Sequence, residues 1–403
     1  MELIIQKFGG TSVATKESRI AVVKKIAKAL KEGEHPIVIV SAMGRLGAPY
    51  ATDTLLEFVR SNAGDIEERE CDLLLSCGEI ISAVTMATLL NKHGIKAKAF
   101  TGGQAGIITN DDFTQADLIH AEPKQLLDCV AEGFIPVVAG FQGATEDGQV
   151  TTIGRGGSDT TASMLGSSVG AKRIEIFTDV DGVMTGDPRV CDRVHIIPAI
   201  SYNEVFQMAD SGAKVIHPRA VEYAMRANIP LVIKNTFTEA EGTFIVQTVP
   251  QITTDQYLQE HHHKIVSSVA HRVNRVQYTI EDSIFNEIDL LDKVARASVS
   301  IDLINIFPTM KVFTIDGAKQ EKLETLLDKY NYKYTKVTNC AKVTLIGERM
   351  TGIPGVIARA IKTLTKLNVN ILQTADSLTT IAVLIPEGDL SKVICALHEE
   401  FNI

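Results

Sequence analysis

Residues 3–13 read LIIQKFGGTSV, a short apolar run followed by a lysine and a pair of glycines. Short runs rich in β-branched residues are typical of buried strands. Consecutive glycines let backbone N–H groups approach an anion closely, and Lys7 adds a positive charge at the same strand end. This stretch therefore predicts a strand over residues 3–8 that leads into an anion-binding turn.

Similar apolar runs recur along roughly the first 250 residues, separated by segments of helical periodicity at residues 18–30 and 71–90. Strand and helix in alternation predict an α/β fold, a parallel or mixed sheet between helix layers. Ligands of such sheets bind beyond the carboxyl ends of the strands. The predicted apolar face of the first helix is formed by Ile20, Val23, Ala27 and Leu30. The further predicted strands are residues 37–41, 135–141, 174–178 and 231–234.

Length and charge narrow the class of protein. At about 150 residues per domain, a chain of 403 residues predicts two or three domains. With 40 basic and 49 acidic residues the net charge is −9, so nucleic acid is not expected as a partner. No apolar run reaches about 18 residues and no leader opens the chain, so we expect a cytoplasmic protein without membrane spans.

The cysteines and histidines give no metal-binding pattern. The cysteines have no C-x-x-C pair, and we expect buried, reduced thiols. The run of three histidines at 261–263 is interpreted as part of a linker, so no structural metal site is predicted. The cysteines are Cys71, Cys77, Cys129, Cys191, Cys340 and Cys395.

A change of pattern at about residues 249–263 predicts a domain boundary. Beyond it, residues 293–317 align with residues 362–388 at an offset of about 70, and each copy predicts a helix followed by two strands, the first starting at Val299 or Val369. The sequence therefore predicts one α/β domain and two small α+β domains. The predicted domains are residues 1–249, 264–337 and 338–403.

Three glycine-rich turns follow predicted strands, at residues 7–13, 154–162 and 178–189. In the second turn, Ser158 and Asp159 open a predicted helix, whose free N–H groups favour an anion. Each turn alone could be purely structural, but together they predict a nucleoside triphosphate bound with Mg²⁺. The Walker loop and the protein-kinase signatures are absent. The charged side chains at the turns are Lys7, Arg155, Arg189, Asp159 and Asp181.

The motifs KFGGTSV, SAMG (41–44), LLSCGE (74–79), TTIGRGGSDTTA (151–162) and FTDVDGVMTGDPR (177–189) together resemble those of aspartate kinases, which have the amino acid kinase fold. The repeated tail resembles their paired ACT domains. The resemblance covers nearly the whole chain and is greatest to the short monofunctional bacterial enzymes, notably the diaminopimelate-sensitive isozyme. It implies ATP-dependent phosphorylation of L-aspartate to 4-phospho-L-aspartate, the first step toward diaminopimelate, lysine, threonine and methionine.

The resemblance also implies roles for individual residues. Lys7 would neutralise charge on the transferring phosphoryl group, and Asp159 would orient Lys7 or organise the Mg²⁺ site. Arg155 would bind a carboxylate of aspartate and Glu79 its ammonium. The implied aspartate-binding residues are Ser41, Thr52, Glu79, Arg155 and Ser158. The implied ATP-binding residues are Lys7, Phe8, Gly9, Gly10, Thr178, Asp179, Met184, Thr185, Gly186, Asp187, Pro188, Arg189 and Lys214.

For regulation, the resemblance implies an amino-acid effector at ACT domains that pair between subunits, hence a homodimer or higher oligomer. We expect meso-diaminopimelate ahead of lysine and threonine. Two alternatives are another amino acid kinase, acting on glutamate, N-acetylglutamate, carbamate or UMP, and an amino-acid sensor with an inactive kinase domain. The candidate effector residues are Ser283, Asn286, Asp302, Asn305 and Asp376.

Overall fold

The computed structural model describes residues 2–213, 216–247, 265–281, 287–348, 350 and 353–403, with the backbone alone at 287–289. The elements of its first part are β1 (Leu3–Phe8), α1 (Gly10–Val13), α2 (Lys16–Lys31), β2 (His35–Val40), α3 (Thr52–Ala63), α4 (Glu68–Lys92), β3 (Ala97–Phe100), β4 (Ile107–Thr109), β5 (Leu118–Ala121), α5 (Lys124–Ala131), β6 (Ile135–Ala139), β7 (Gln142–Ala144), β8 (Val150–Thr152), α6 (Gly157–Val169), β9 (Ile174–Thr178), β10 (Ala199–Ser201), α7 (Tyr202–Asp210), α8 (Pro218–Ala227), β11 (Leu231–Asn235) and β12 (Thr243–Val246).

The later elements are β13 (Ser268–Glu281), α9 (Glu287–Arg296), β14 (Ile301–Phe307), β15 (Met310–Asp316), α10 (Gln320–Lys329), β16 (Lys333–Ile346), α11 (Val356–Lys366), β17 (Gln373–Asp376), β18 (Thr380–Pro386) and α12 (Leu390–Phe401). The described residues form two compact units. Unit 1 takes the described residues of 1–183, 196–206 and 214–262. Unit 2 takes Met184–His195, Gln207–Ala213 and the described residues from 265 onward.

The main sheet of unit 1 confirms the predicted α/β fold. Its strand order is β10-β12-β11-β9-β1-β2-β6-β3. The β11–β12 pair is antiparallel and the other described pairs are parallel. β1 lies between β9 and β2, so the turns that follow these three strands meet at one edge of the sheet.

The buried face of helix α2 overlaps the predicted one but is centred on other residues. The buried apolar side chains are Val22, Val23, Ile26 and Ala29. Of the predicted face, Val23 is buried and Leu30, partly buried, packs against the same core, whereas Ile20 and Ala27 are only partly buried at its margin. Apolar residues occupy a wide arc of this helix, and the packing against the sheet selects the centre of that arc.

Helix α4 is long and apolar enough to cross a membrane by length and composition, the one such helix in the described ranges. Half of that stretch is buried within the protein. The helix packs against β3, β6 and β8 of the same unit. These contacts are those of a core helix of a globular unit.

Unit 2 contains one antiparallel sheet with the order β14-β15-β13-β16-β18-β17. The long strands β13 and β16 pair with each other at the centre of this sheet, and β15 and β18 flank them. The expected boundary between residues 337 and 338 lies inside β16.

The internal repeat is visible as two copies of a helix followed by two strands, α9-β14-β15 and α11-β17-β18. Each helix is followed by a residue with positive φ, Ser298 (51°) or Asn368 (52°). The next N–H, of Val299 or Val369, then donates to a carbonyl in the helix. The two strands therefore begin later than predicted, because Val299 and Val369 still take part in ending the preceding helices.

The prediction that all cysteines are buried, reduced thiols is wrong. Cys191 and Cys395 form a disulfide with Cα atoms 5.5 Å apart, although they lie 204 positions apart in the chain. Cys77 is free and exposed. The free and buried cysteines are Cys71, Cys129 and Cys340. The spacing could not reveal the pair, because only the packing of the segment around Cys191 against α12 brings the two sulfurs together.

Candidate active site

The turn after β1 contains an ion pair. Lys7 is only 8% exposed, and its Nζ lies 2.6 Å from Oδ1 of Asp159. Asp159 lies in the first turn of α6, where the helix dipole favours a negative charge. The structure therefore brings together the two residues predicted as catalytic.

The glycines of this turn pack against the SAMG turn. The backbone N–H of Gly44 donates to the carbonyl of Gly10 (3.0 Å). A Cβ on Gly10 would lie 2.8 Å from the carbonyl oxygens of Ala42 and Gly44, so only glycine fits. The N–H of Gly9 already donates to the carbonyl of Phe177 (3.1 Å), so it is not a free donor for a phosphate.

Phe8, predicted to contact ATP, has a fully buried side chain that stacks on Phe177 with ring centroids 4.7 Å apart. Its carbonyl accepts a hydrogen bond from the N–H of Ser41 (3.1 Å). The side chain of Phe8 therefore belongs to the core, whereas its backbone joins the ends of β1 and β2.

Glu79 is buried on α4, with 3% of its surface exposed. Its Oε1 accepts a hydrogen bond from the N–H of Ala42 (3.1 Å), whereas its buried Oε2 has no partner among the described residues. Burial raises the pKa of Glu79 to about 8. An unpaired buried carboxyl is costly, so this environment favours a bound cationic group.

The turn that carries Arg155 packs against the start of α8. Gly156 has φ +71°, and a Cβ there would lie 2.2 Å from Cβ of His217. Arg219 donates to the carbonyl of Ile153 (2.9 Å) just before the turn. His217 and Arg219 are positioning residues that the sequence analysis missed; the HPR run at 217–219, with proline at a helix start, was the available signal.

Arg155 itself is exposed and makes no ion pair within the ranges that the structure covers. Ser158 is buried at the start of α6. Thr52 opens α3, and the preceding loop lies against α4, where a Cβ on Gly78 would lie 2.9 Å from the carbonyl of Tyr50. An unpaired guanidinium at a glycine-rich turn can bind a carboxylate with two hydrogen bonds.

The predicted ATP-binding residues fall in both units. Thr178 and Asp179 end β9 in unit 1, where Arg45 lies 3.2 Å from Asp179. Arg45 was missed, although it directly follows the SAMG motif. Lys214 lies outside the described residues.

The remaining ATP-binding candidates, residues 184–189, belong to unit 2. Thr185 is buried, and its Oγ1 lies 2.6 Å from Nε2 of His398. Arg189 is bound to Asp187 (2.7 Å), and this contact lowers the pKa of Asp187. The side chains of Thr185 and Asp187 therefore already have protein partners.

Two of the effector candidates make contacts within unit 2. Asp302 Oδ1 lies 2.5 Å from Nζ of Lys342, and Asn305 accepts a hydrogen bond from Gln373 (2.6 Å). Asp376 is exposed at the end of β17. Ser283 and Asn286 lie outside the described residues.

A cavity of about 350 Å³ in unit 1 contains none of the predicted site residues. Its lining includes a buried ion-pair network in which Glu175 contacts Arg173 (3.0 Å) and Lys234 (2.8 Å), and Arg173 also contacts the buried Glu34 (2.7 Å). Because these charges neutralise one another, the network has the character of a structural element.

The geometry is that of a site for phosphoryl transfer to a nucleophile that needs no general base. It offers a lysine, an arginine without an ion-pair partner among the described residues, close glycine turns and a carboxylate. A family model described as the amino acid kinase family matches residues 2–235, and an ACT domain model matches residues 336–399. The fold and the site thus define an amino acid kinase with an ACT regulatory part.

Full-length relatives narrow the class. Aspartokinase 1 of Bacillus subtilis (strain 168) is 42% identical over 407 residues, covering 100% of both chains. Two structures of E. coli aspartokinase III, each 25% identical and covering 100% of both chains, superpose well. The complex with aspartate and ADP (R-state) has a TM-score of 0.75, and the complex with lysine and aspartate (T-state) 0.77. The chain belongs to the aspartokinase family, and it is an ATP-dependent kinase that acts on a carboxyl group.

Proposed function

We propose that this aspartokinase transfers the γ-phosphoryl group of ATP to the side-chain carboxylate of L-aspartate through the Lys7–Asp159 site. The observation that carries the proposal is the largely buried ion pair between these two residues at the meeting point of two glycine-rich turns. A carboxylate oxygen of aspartate forms a bond to the γ-phosphorus as the bond to the bridging oxygen of ADP breaks. Lys7 stabilises the charge on the transferring group, and Asp159 holds Lys7 in place.

Aspartate would be recognised by opposite charges at its two ends. Among the described residues, Oε2 of Glu79 has no hydrogen-bond partner and could receive the ammonium group, and the Arg155 guanidinium has no ion-pair partner and could receive a carboxylate. Ser41, Thr52 and Ser158 complete the proposed aspartate site. The proposed nucleotide site comprises residues 8–10, which allow close approach of the phosphates but do not donate through the Gly9 N–H, together with Thr178, Asp179, residues 184–189 and Lys214.

The residues present fit a Mg²⁺ ion that enters with ATP. Lys7 contacts Oδ1 of Asp159, and the partly exposed carboxylate keeps a second oxygen. Mg²⁺ in phosphotransferases is typically held by one or two carboxylates together with phosphate oxygens, and it neutralises phosphate charge when bound.

Unit 2 would regulate the kinase through its ACT repeats. A bound lysine in the E. coli structure supports an amino-acid effector. We favour meso-diaminopimelate, with lysine and threonine as the other candidates, in a homodimer or higher oligomer in the cytoplasm. This assignment places the reaction at the entry to diaminopimelate, lysine, threonine and methionine synthesis.

The test is acyl phosphate formation from ATP, Mg²⁺ and L-aspartate, trapped as the hydroxamate, with L-glutamate as the control substrate. We expect a product with aspartate alone, and inhibition by one of the three amino acids. Hydroxamate from glutamate would indicate a different amino acid kinase. No hydroxamate from either would support the amino-acid sensor, although the intact Lys7–Asp159 pair argues against loss of catalysis.

A further inference from the structure

The disulfide joins the segment Met184–His195 to helix α12, two parts of unit 2 that are remote in the chain. Cys191 is 2% exposed and lies in the hydrophobic core of the second repeat, whereas Cys395 on α12 is half-buried. The Cα separation of 5.5 Å allows a disulfide without backbone movement.

Polar contacts hold the same two parts together independently of the sulfurs. Besides the Thr185–His398 contact, Ser391 donates to the carbonyl of Val190 (2.7 Å). An ion pair also joins Arg193 and Glu399 (2.7 Å). After reduction these contacts still hold the thiols near each other, so the bond can form again rapidly.

The disulfide lies between a segment of the proposed nucleotide site and the second ACT repeat. The segment Met184–His195 carries residues of the proposed nucleotide site and continues along the chain into Val183 of unit 1. Helix α12 is the last helix of the second ACT repeat. We propose that Cys191 and Cys395 form a reversible redox site that fastens this segment to α12 and thereby alters the response to ATP; the kinetic part rests on the proposed function.

The chemistry is thiol–disulfide exchange with a low-molecular-weight disulfide. The more accessible Cys395 thiolate attacks one sulfur of that disulfide, forms a mixed disulfide and releases one thiol. The Cys191 thiolate then attacks Sγ of Cys395 and releases the second thiol. Two protein thiols are oxidised by two electrons, the external disulfide is reduced to two thiols that take the two protons, and excess thiol reverses both steps.

The experiment equilibrates the full-length protein with oxidised or reduced glutathione, followed by alkylation in denaturant and mass spectrometry. A chelator is present, because the two thiols and Asp192 could also hold a metal ion. After oxidation we expect a linked Cys191–Cys395 peptide, with Cys71, Cys129 and Cys340 alkylated and the exposed Cys77 either alkylated or carrying glutathione; after reduction we expect six alkylated cysteines. Six alkylated cysteines under both conditions would overturn the proposal.

The kinetic arm compares the KM for ATP of the two forms. We expect it to differ by about fivefold, a typical size for coupling between sites. Cys191→Ser and Cys395→Ser should each remove the redox response, whereas Cys129→Ala, which changes a free buried cysteine on α5, should keep it. A linked peptide with unchanged kinetics overturns the regulatory role. A chain without turnover in either form would refute the proposed function, and the thiol count would still decide on the disulfide.

Discussion

Two buried glutamates of unit 1 have opposite electrostatic environments. Glu175 is 1% exposed; burial alone would raise its pKa, but attraction from Lys234 and Arg173 outweighs burial and lowers it. Glu79 is 3% exposed, lacks such cations among the causes of its shift, and has its pKa raised to about 8. The comparison distinguishes a carboxylate whose partners are part of the fold from one whose missing partner fits a substrate.

Breaking the Glu175 network should have the largest effect. We expect Arg173→Met to lower the free energy of unfolding by about 3–5 kcal/mol, since it leaves the buried carboxylates of Glu34 and Glu175 with less compensation. Urea unfolding measures this loss. The kcat of the folded fraction should remain near that of the unmodified protein, and a large loss of kcat would contradict a purely structural network.

Lys7→Ala tests a charged residue that is proposed to act in catalysis and not in stability. We expect kcat to fall by about 10²–10³-fold, because a group that stabilises transferring charge is removed. Steady-state kinetics at saturating ATP and aspartate measure the change, and thermal unfolding serves as the control for folding. Near-normal turnover would remove Lys7 from the mechanism.

Glu79→Gln keeps the shape of the side chain and removes its negative charge. We expect the KM for aspartate to rise by about 10²-fold without loss of stability, because the ammonium group loses its buried partner. Glu175→Gln is the matched control, and it should lower stability while leaving this KM unchanged. If both variants raise the KM equally, the distinction between the two glutamates is wrong.

The pH dependence follows from the same pKa values. Because substrate binding needs the Glu79 carboxylate, the KM for aspartate should fall about tenfold per pH unit up to about pH 8 and then level off. The folded protein retains the Glu79 proton that the unfolded chain loses above about pH 4.5, so this residue makes stability fall as pH rises toward 8. Glu175, with its lowered pKa, makes stability fall only as pH drops below 4.5. A KM that does not change between pH 6 and 8 would contradict the role of Glu79.

Arg155→Lys should have the smallest effect. We expect the KM for aspartate to rise about tenfold, the value of roughly one charged hydrogen bond, because lysine cannot bind a carboxylate with two parallel hydrogen bonds. An unchanged KM would place Arg155 outside the aspartate site.

The sequence alone determined the features that arise from neighbouring residues. Strands β1 and β9 have the predicted bounds, because buried parallel strands are continuous apolar runs. The glycine turns and the repeated helix–strand–strand order could also be predicted from the sequence. Lys7 and Asp159 could be predicted as one site, since the carboxyl ends of adjacent strands and the helices that follow them meet at one edge of the sheet.

Tertiary structure alone decided which distant segments meet. The segment Met184–His195 belongs to the second unit, Cys191 meets Cys395, and Asp302 meets Lys342. Local periodicity carries no information on such pairs, because their energy arises from burial and charge contacts that exist only after folding. The same reason contributes to the opposite pKa shifts of Glu79 and Glu175: Arg173 is a neighbour of Glu175 in the sequence, but only the folded chain adds Lys234 beside it.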